Sequence, residues 1–343
     1  MTYDLITMGE VLMRLSPAGG FPMSQSDLLE RYFGGSEMNV AAAAAAMGLS
    51  AAVVTQLPQN SLGTLARQFM RRVGISDAYC MEDARSNARL GIYYYEPGSF
   101  PAVPHVIYDR EGSSMRTMTK KALPEAAFDN ARCFHISGIT LGLGGSCREA
   151  AFEAVRRFRE HKAWISFDVN YRMNLWSGEE AKACIEKILP MVDIFFCSED
   201  TMRLTFGKTG TLEEMLLSFA QEYPMSIIAA TQRTVHRPSC HSFKSAVYNC
   251  KSQAFISEAR GYERIEVTDR IGSGDAFVGG FLAGLLKGEN IFGEAAVFNA
   301  MNWGNTCAAL KLGMKGDVLH TQAEEVFDVI DRHYKRNLTE MKR

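Results

Sequence analysis

Short apolar runs alternate with longer amphipathic ones along almost all of this 343-residue chain. That alternation constrains the fold more than any other feature. Runs at 4–9, 51–56, 133–138, 163–170, 192–198 and 226–231 read as buried strands. Helical patterns cover 37–48, 61–73, 146–162, 178–190, 211–222, 273–287, 293–312 and 321–336. Strands that alternate with helices require right-handed crossovers, and so a parallel sheet covered on both faces. The expected fold class is therefore α/β with a mostly parallel central sheet. Ligands of such sheets sit beyond the carboxyl ends of the strands. The segments "SFDVNYR", "FCSED" and "AATQR" put polar residues there.

One region breaks the rhythm. Residues 88–110 hold two β-type runs around a Pro/Gly-rich turn. They read as a hairpin which, with "VLMRLSP" at 11–17, would form a small sheet beside the main body. The tail 333–343 reads as a frayed, solvated helix end.

Composition narrows the function. Hydrophobic residues make up 47% and charged residues 22%, as in ordinary globular proteins. A net charge of −2 supplies no basic field for nucleic acid. No run is long and apolar enough to span a membrane. The N-terminus lacks a basic-then-apolar signal pattern, and the eight cysteines include no CxxC pair. The expectation is a cytoplasmic protein with reduced thiols.

The chemistry concentrates in "DRIGSGDAFVGGF", residues 269–281. The Walker pattern GxxxxGK[ST] is absent. The dinucleotide fingerprint fails because Phe277 stands at its third glycine. Two readings remain for Gly272 to Asp275. One is a tight turn with an N-cap. The other is an anion pocket made by the Gly272–Asp275 backbone, through the N–H groups of Ser273, Gly274 and Asp275, with Asp275 also as the base that deprotonates an attacking hydroxyl. A second glycine pair, Gly34-Gly35, precedes a long Ala-rich helix, with Asn39 near enough to add a side-chain contact. It too reads either as a plain loop or as a place where backbone approaches a ligand.

These two segments, "GGSEMNVAAAAAAMGL" and "DRIGSGDAFVGGFLAGL", resemble the two signatures of the ribokinase-like, or PfkB-type, carbohydrate kinases. The resemblance runs from about residue 5 to residue 330. It implies one ribokinase-like domain over 1–343, with a three-layer core and a β-sheet lid made of about 11–18 and 88–111. It also implies ATP and Mg²⁺. Within the family, "GEVLMRLSP", "HVIYDR", "HISGIT" and "DVNYRMNLWS" look like 2-keto-3-deoxygluconate kinases. By that likeness the sugar contacts are Gly34, Tyr93, Tyr108, Arg110, Arg172, Asp275 and Asp317, and Gly35, Asn39 and Asn170 join them as candidate substrate-binding residues. Two arginines suit a sugar acid, because guanidinium meets carboxylate as a fork.

The chain departs from the family pattern twice. Where many members carry Asn-x-x-Glu, it has "SEDT" at 198–201, leaving Glu199 or Asp200 to act on a metal through water. Where a glycine-bearing turn is usual, it has "TQRTVHRP" at 231–238. On the nucleotide side the expected residues are Ser198, Thr231, Arg233, Gly272, Gly274, Asn299 and Asn302. The lid is expected to pair subunits in a homodimer or a higher homo-oligomer. Two rival functions fit the same residues: a kinase of a neutral sugar or nucleoside, and a sugar- or nucleotide-sensing protein on the same fold.

Overall fold

The computed structural model describes residues 2–98, 103–258 and 260–335. Its central sheet has 11 strands. The parallel part runs, in spatial order, Ile227–Arg237, Ile194–Ser198, Trp164–Asp168, Ala131–Ser137, Tyr3–Met8, Ala51–Pro58 and Ile75–Ser76. All six expected strands are present in this part. Successive residues of one strand face opposite layers. Leu5 packs with Val40, Phe277, Phe281 and Val297 on one side. Ile6 packs with Phe134, Phe158 and Phe167 on the other. Those are the two cores of a three-layer α/β fold.

The helices Ser36–Ala46, Ser273–Leu286 and Glu294–Leu312 cover the first side. The helix Ser273–Leu286 is almost wholly buried, because it lies between the other two. Its rear glycines make room for that packing. A Cβ on Gly279 would stand 2.5 Å from the Val40 carbonyl oxygen, and one on Gly280 would stand 2.7 Å from Cys307 Sγ. The expected helix over 178–190 stops early, as Gly178–Ile185, and Pro190 falls in a separate 3₁₀ turn, Leu189–Met191.

The small sheet has four strands where the sequence pattern gave three. Its order is Leu29–Gly34, Leu12–Pro17, Gly91–Glu96 and His105–Asp109. The strand Leu29–Gly34 mixes charge and aromatics without an apolar period, so it hid from the pattern. Cross-strand pairs fix the two faces. Arg14, Tyr93 and Tyr108 share one face, and Leu15, Tyr94 and Ile107 share the other. The tip of the 91–109 hairpin, and the tail expected to fray, lie in part outside the described residues.

The expected loop at 231–238 is strand for almost all its length. Ile227–Arg237 continues past the sheet edge and pairs antiparallel with Cys240–Asn249, Thr231 opposite Ser245 and Arg233 opposite Phe243. Composition misled here because the ribbon is solvated over most of residues 231–237 and carries no apolar alternation. All eight cysteines are free thiols. Among the described residues no helix is long and apolar enough to cross a membrane.

Candidate active site

The carboxyl edge of the sheet brings the two glycine-bearing segments together. Gly272 closes a left-handed turn, φ 79°, and starts the helix Ser273–Leu286. A Cβ on Gly272 would stand 1.8 Å from the Asp317 carbonyl oxygen, so no other residue fits. The first turn of a helix leaves N–H groups without intrahelical acceptors. Among the described residues nothing lies within 4 Å of where a Gly274 side chain would be. The amide end of the helix thus faces open space.

Asp275 sits in that first turn, buried. Three donors hold its carboxylate: Ser36 Oγ at 2.9 Å, Asn39 Nδ2 at 2.8 Å and Asn170 Nδ2 at 3.3 Å. Ser36 and Asn39 come from the helix that follows Gly35. Asn170 follows the strand Trp164–Asp168 and carries a φ of 36°, uncommon for a side-chain-bearing residue. Asp168 Oδ1 accepts from the Asn170 amide at 3.1 Å and supports that conformation. Burial raises the Asp275 pKa, and Asn39, Arg172, Ser36 and Asn170 pull against it. Burial, then the charge of Asp275, pushes Asp168 up to about 7. Two carboxyl groups thus share a crowded site with unequal environments, a pattern common where acid–base chemistry occurs.

The other expected residues divide. Gly34 and Gly35 make room for the protein's own groups. A Cβ on Gly34 would stand 2.0 Å from Asp317 Oδ2, and one on Gly35 the same distance from the Glu10 carbonyl oxygen. Asp317 accepts from Tyr93 and, at 3.1 Å, from Arg14 Nη1. Arg14 also pairs with Asp269 at 2.7 Å, tying the small sheet to the turn. Arg110 is buried at the end of His105–Asp109 and donates to Glu10, which Ser113 also contacts. It is therefore held from within, and its Nε has no partner among the described residues. Tyr108 packs against Tyr93 with the rings tilted and their centroids 5.7 Å apart, and it lies under the Arg110 guanidinium. Arg172 is exposed and acts electrostatically on both Asp275 and Asp168.

Around the turn three arginines converge. Arg233 has its pKa lowered by desolvation, then by Arg270, with Arg172 adding to the effect. Ser198 caps the helix Glu199–Leu204, and Thr231 lies beside it on the next strand. Glu199 is engaged by Arg203 and by Gln232 at 2.5 Å, while Asp200 is exposed. Asn299 is exposed and Asn302 buried on Glu294–Leu312. A cleft of about 340 Å³ opens beside the ribbon, with Gln232, His236, Lys244, Tyr262 and Arg264 among its walls. Sequence reasoning missed Ser36, Asp168, Glu10, Arg14 and Arg270. Two of these signals were readable, since Ser36 follows the Gly-Gly pair and Arg270 stands two residues before Gly272.

Known proteins match this architecture. The pfkB family carbohydrate kinase model matches residues 4–323. The 2-dehydro-3-deoxygalactonokinase of Haloferax volcanii is 32% identical over 330 residues, covering 96% of this chain and 97% of that protein. The solved 2-dehydro-3-deoxygluconokinase of Thermotoga maritima superposes with a TM-score of 0.89 at 28% identity, covering 96% of this chain and 99% of that one. A ribokinase II structure from E. coli, in complex with ATP and Mg²⁺, has a TM-score of 0.79 over 96% of this chain and all of its own, but at 18% identity it speaks to the fold alone. The chain belongs to the pfkB family of carbohydrate kinases, ATP-dependent sugar phosphotransferases.

Proposed function

We propose that this kinase transfers the γ-phosphoryl group of ATP to the primary hydroxyl of a 2-keto-3-deoxy sugar acid, 2-keto-3-deoxygluconate giving its 6-phosphate. The observation that carries this reading is the setting of Asp275. It is a buried carboxylate held by three donors beside a helix N-terminus that faces open space. In the transfer, the hydroxyl oxygen bonds to phosphorus, ADP leaves, and the hydroxyl proton passes to Asp275. The Gly272–Asp275 turn receives the charge that develops on the phosphoryl oxygens. Arg233 and Arg270 favour the polyphosphate, and the cleft beside Gln232 and Tyr262 suits the nucleotide end.

A sugar acid is favoured over a neutral sugar by Arg172 and Arg110. The named substrates of the Haloferax and Thermotoga relatives are acids of this class. Among the described residues no cluster of three metal-ligating side chains occurs. That fits Mg²⁺, which keeps waters and binds through one or two carboxylates plus substrate phosphates. Asp200 would take that role before Glu199, whose carboxylate is already engaged. Mg²⁺, when bound, neutralises the β- and γ-phosphate oxygens. The free thiols suit a reducing compartment such as the cytoplasm. A coupled ADP-release screen over sugars and sugar acids tests the reading. Turnover of 2-keto-3-deoxygluconate or its galacto epimer well above fructose and ribose supports it; the reverse order defeats it.

A further inference from the structure

Beneath the Gly272–Asp275 turn lies a cation that the transfer scheme above leaves unused. Lys311, on the last turn of Glu294–Leu312, is 0% exposed. Lysines are almost never fully buried unless paired. Among the described residues no carboxylate lies within ion-pair range of this one. Its ammonium donates instead to two backbone carbonyls, Met314 O at 3.1 Å and Asp269 O at 3.4 Å.

Those carbonyls belong to the two loops that build the site. The first runs 268–272 and ends at the anion turn. The second runs 313–317 and ends at Asp317. The loops are also tied directly, through Thr268 N to Leu312 O at 2.8 Å and Gly316 N to Asp269 Oδ2 at 3.1 Å. Desolvation works against the buried ammonium, while Asp269, Asp317 and Asp275 favour it and Arg14 opposes it. The negative end of its own helix adds support. An apolar or neutral side chain here would leave two inward-facing carbonyls and a surplus of carboxylate charge directly behind the pocket that must accept an anion.

We propose that Lys311 is a positioning residue, a tethered internal cation that holds the 268–272 and 313–317 loops in the geometry needed for phosphoryl transfer. This rests on the assignment of the Gly272–Asp275 turn as the anion pocket. Carbonyl oxygens facing a buried monovalent charge also suit a free ammonium or potassium ion. The native enzyme therefore needs no such ion from solution, whereas an enzyme without the tether gains a use for one.

Lys311→Met keeps the side chain's length and removes its charge. It should lower kcat by about ten- to a hundredfold, as loss of a supporting partner does, with the KM of the sugar acid changing less. Ammonium or potassium chloride should restore much of that loss, and tetramethylammonium chloride at equal ionic strength should not. Wild-type kcat should be the same in all three salts. Lys311→Arg, which keeps the charge, should retain more activity than Lys311→Met and covers the case in which the latter fails to fold. Three outcomes overturn the proposal: an undiminished Lys311→Met, a loss that no small cation repairs while Lys311→Arg fares no better, or a wild-type enzyme that itself requires potassium. A wild-type enzyme that phosphorylates no sugar would overturn the functional reading as well.

Discussion

Asn39 Nδ2 donates to Asp275 Oδ2 at 2.8 Å across a separation of 236 residues. This contact joins the two glycine-bearing segments into one site. With Ser36 and Asn170 it orients the carboxylate while leaving it ionisable. Among the described residues no cation forms an ion pair with this carboxylate, which suits a base, since an ion pair would lower its basicity.

Replacing Asp275 with Asn preserves the shape of the turn and removes the basic oxygen. We expect kcat to fall by roughly 10²–10⁴-fold, the usual worth of a positioned general base. ATP affinity, measured by calorimetry, should change little. Turnover near the wild-type rate would reduce Asp275 to a helix cap.

The pH dependence follows from the two carboxyl groups. Burial raises Asp275, and burial plus Asp275 pushes Asp168 up to about 7. The base acts deprotonated, so kcat/KM should rise with pH through an apparent pKa above the ordinary carboxylate range. The charge of Asp275 is part of what pushes Asp168 up, so Asp275 ionises first and Asp168 is neutral while the base titrates. Asp168→Asn should therefore leave the acid limb in place and remove any inflection near pH 7. A limb that shifts with the substitution contradicts this order of ionisation.

The main fold was legible because its signal is periodic. Six strands and eight helices repeat an apolar pattern that composition cannot hide. The ribbon Ile227–Arg237 was not legible past Thr231, because a solvated antiparallel extension needs no apolar face. Strand Leu29–Gly34 was missed for a similar reason: it completes the small sheet through backbone pairing. In the site, Asp275 and Asn39 could be named from glycine spacing. Glu10 and Arg14 could not, because their meaning comes from partners about 100 and 300 residues away. Gly34 was chosen as a sugar contact, and the structure adds a second demand for glycine there, since a side chain would collide with Asp317.

Glu10 bears on whether Arg110 serves the substrate. The pair is buried, and breaking such a pair from one side costs about 3–5 kcal/mol. Glu10→Gln should therefore lower the melting temperature by several degrees. It also leaves Arg110 in want of a carboxylate. If Arg110 receives the acid group of the sugar, 2-keto-3-deoxygluconate should raise the melting temperature of this variant more than that of wild type. Equal shifts, or a smaller one in the variant, would take Arg110 out of acid binding.

The small sheet has a second face to account for. Tyr93 and Tyr95 pack toward Leu12 and Ile271, but Ile107 on the opposite face is 49% exposed, opposite Tyr94. A thin sheet with apolar residues on its outer side invites a partner. We expect a homodimer through this face, with a light-scattering mass twice the 38.1 kDa of one chain. Ile107→Glu should weaken it. A wild-type mass of one chain at micromolar concentration and ordinary salt would remove the proposal.

The proposed acid acceptor is tested most directly at Arg172. It is exposed at the mouth of the site, its Nη1 donates to the adjacent Tyr171 carbonyl at 3.0 Å, and its charge reaches Asp275. No carboxylate of the described protein pairs with it, which leaves its fork available to a ligand. Arg172→Lys keeps the charge but loses the bidentate geometry. The KM for the sugar acid should rise by one to two orders of magnitude, matching the roughly 1.5–3 kcal/mol of a charged hydrogen bond, with the KM for ATP near wild type. A rise in both would assign Arg172 to the polyphosphate with Arg233 and Arg270. The sharper comparison sets 2-keto-3-deoxygluconate against uncharged sugars in wild type and Arg172→Ala. The wild type should prefer the acid and the variant should lose most of that preference, because the neutral sugars never used the guanidinium. If Arg172→Ala depresses acid and neutral sugars equally, the residue orients the Asn170 segment, and the carboxylate must be recognised elsewhere.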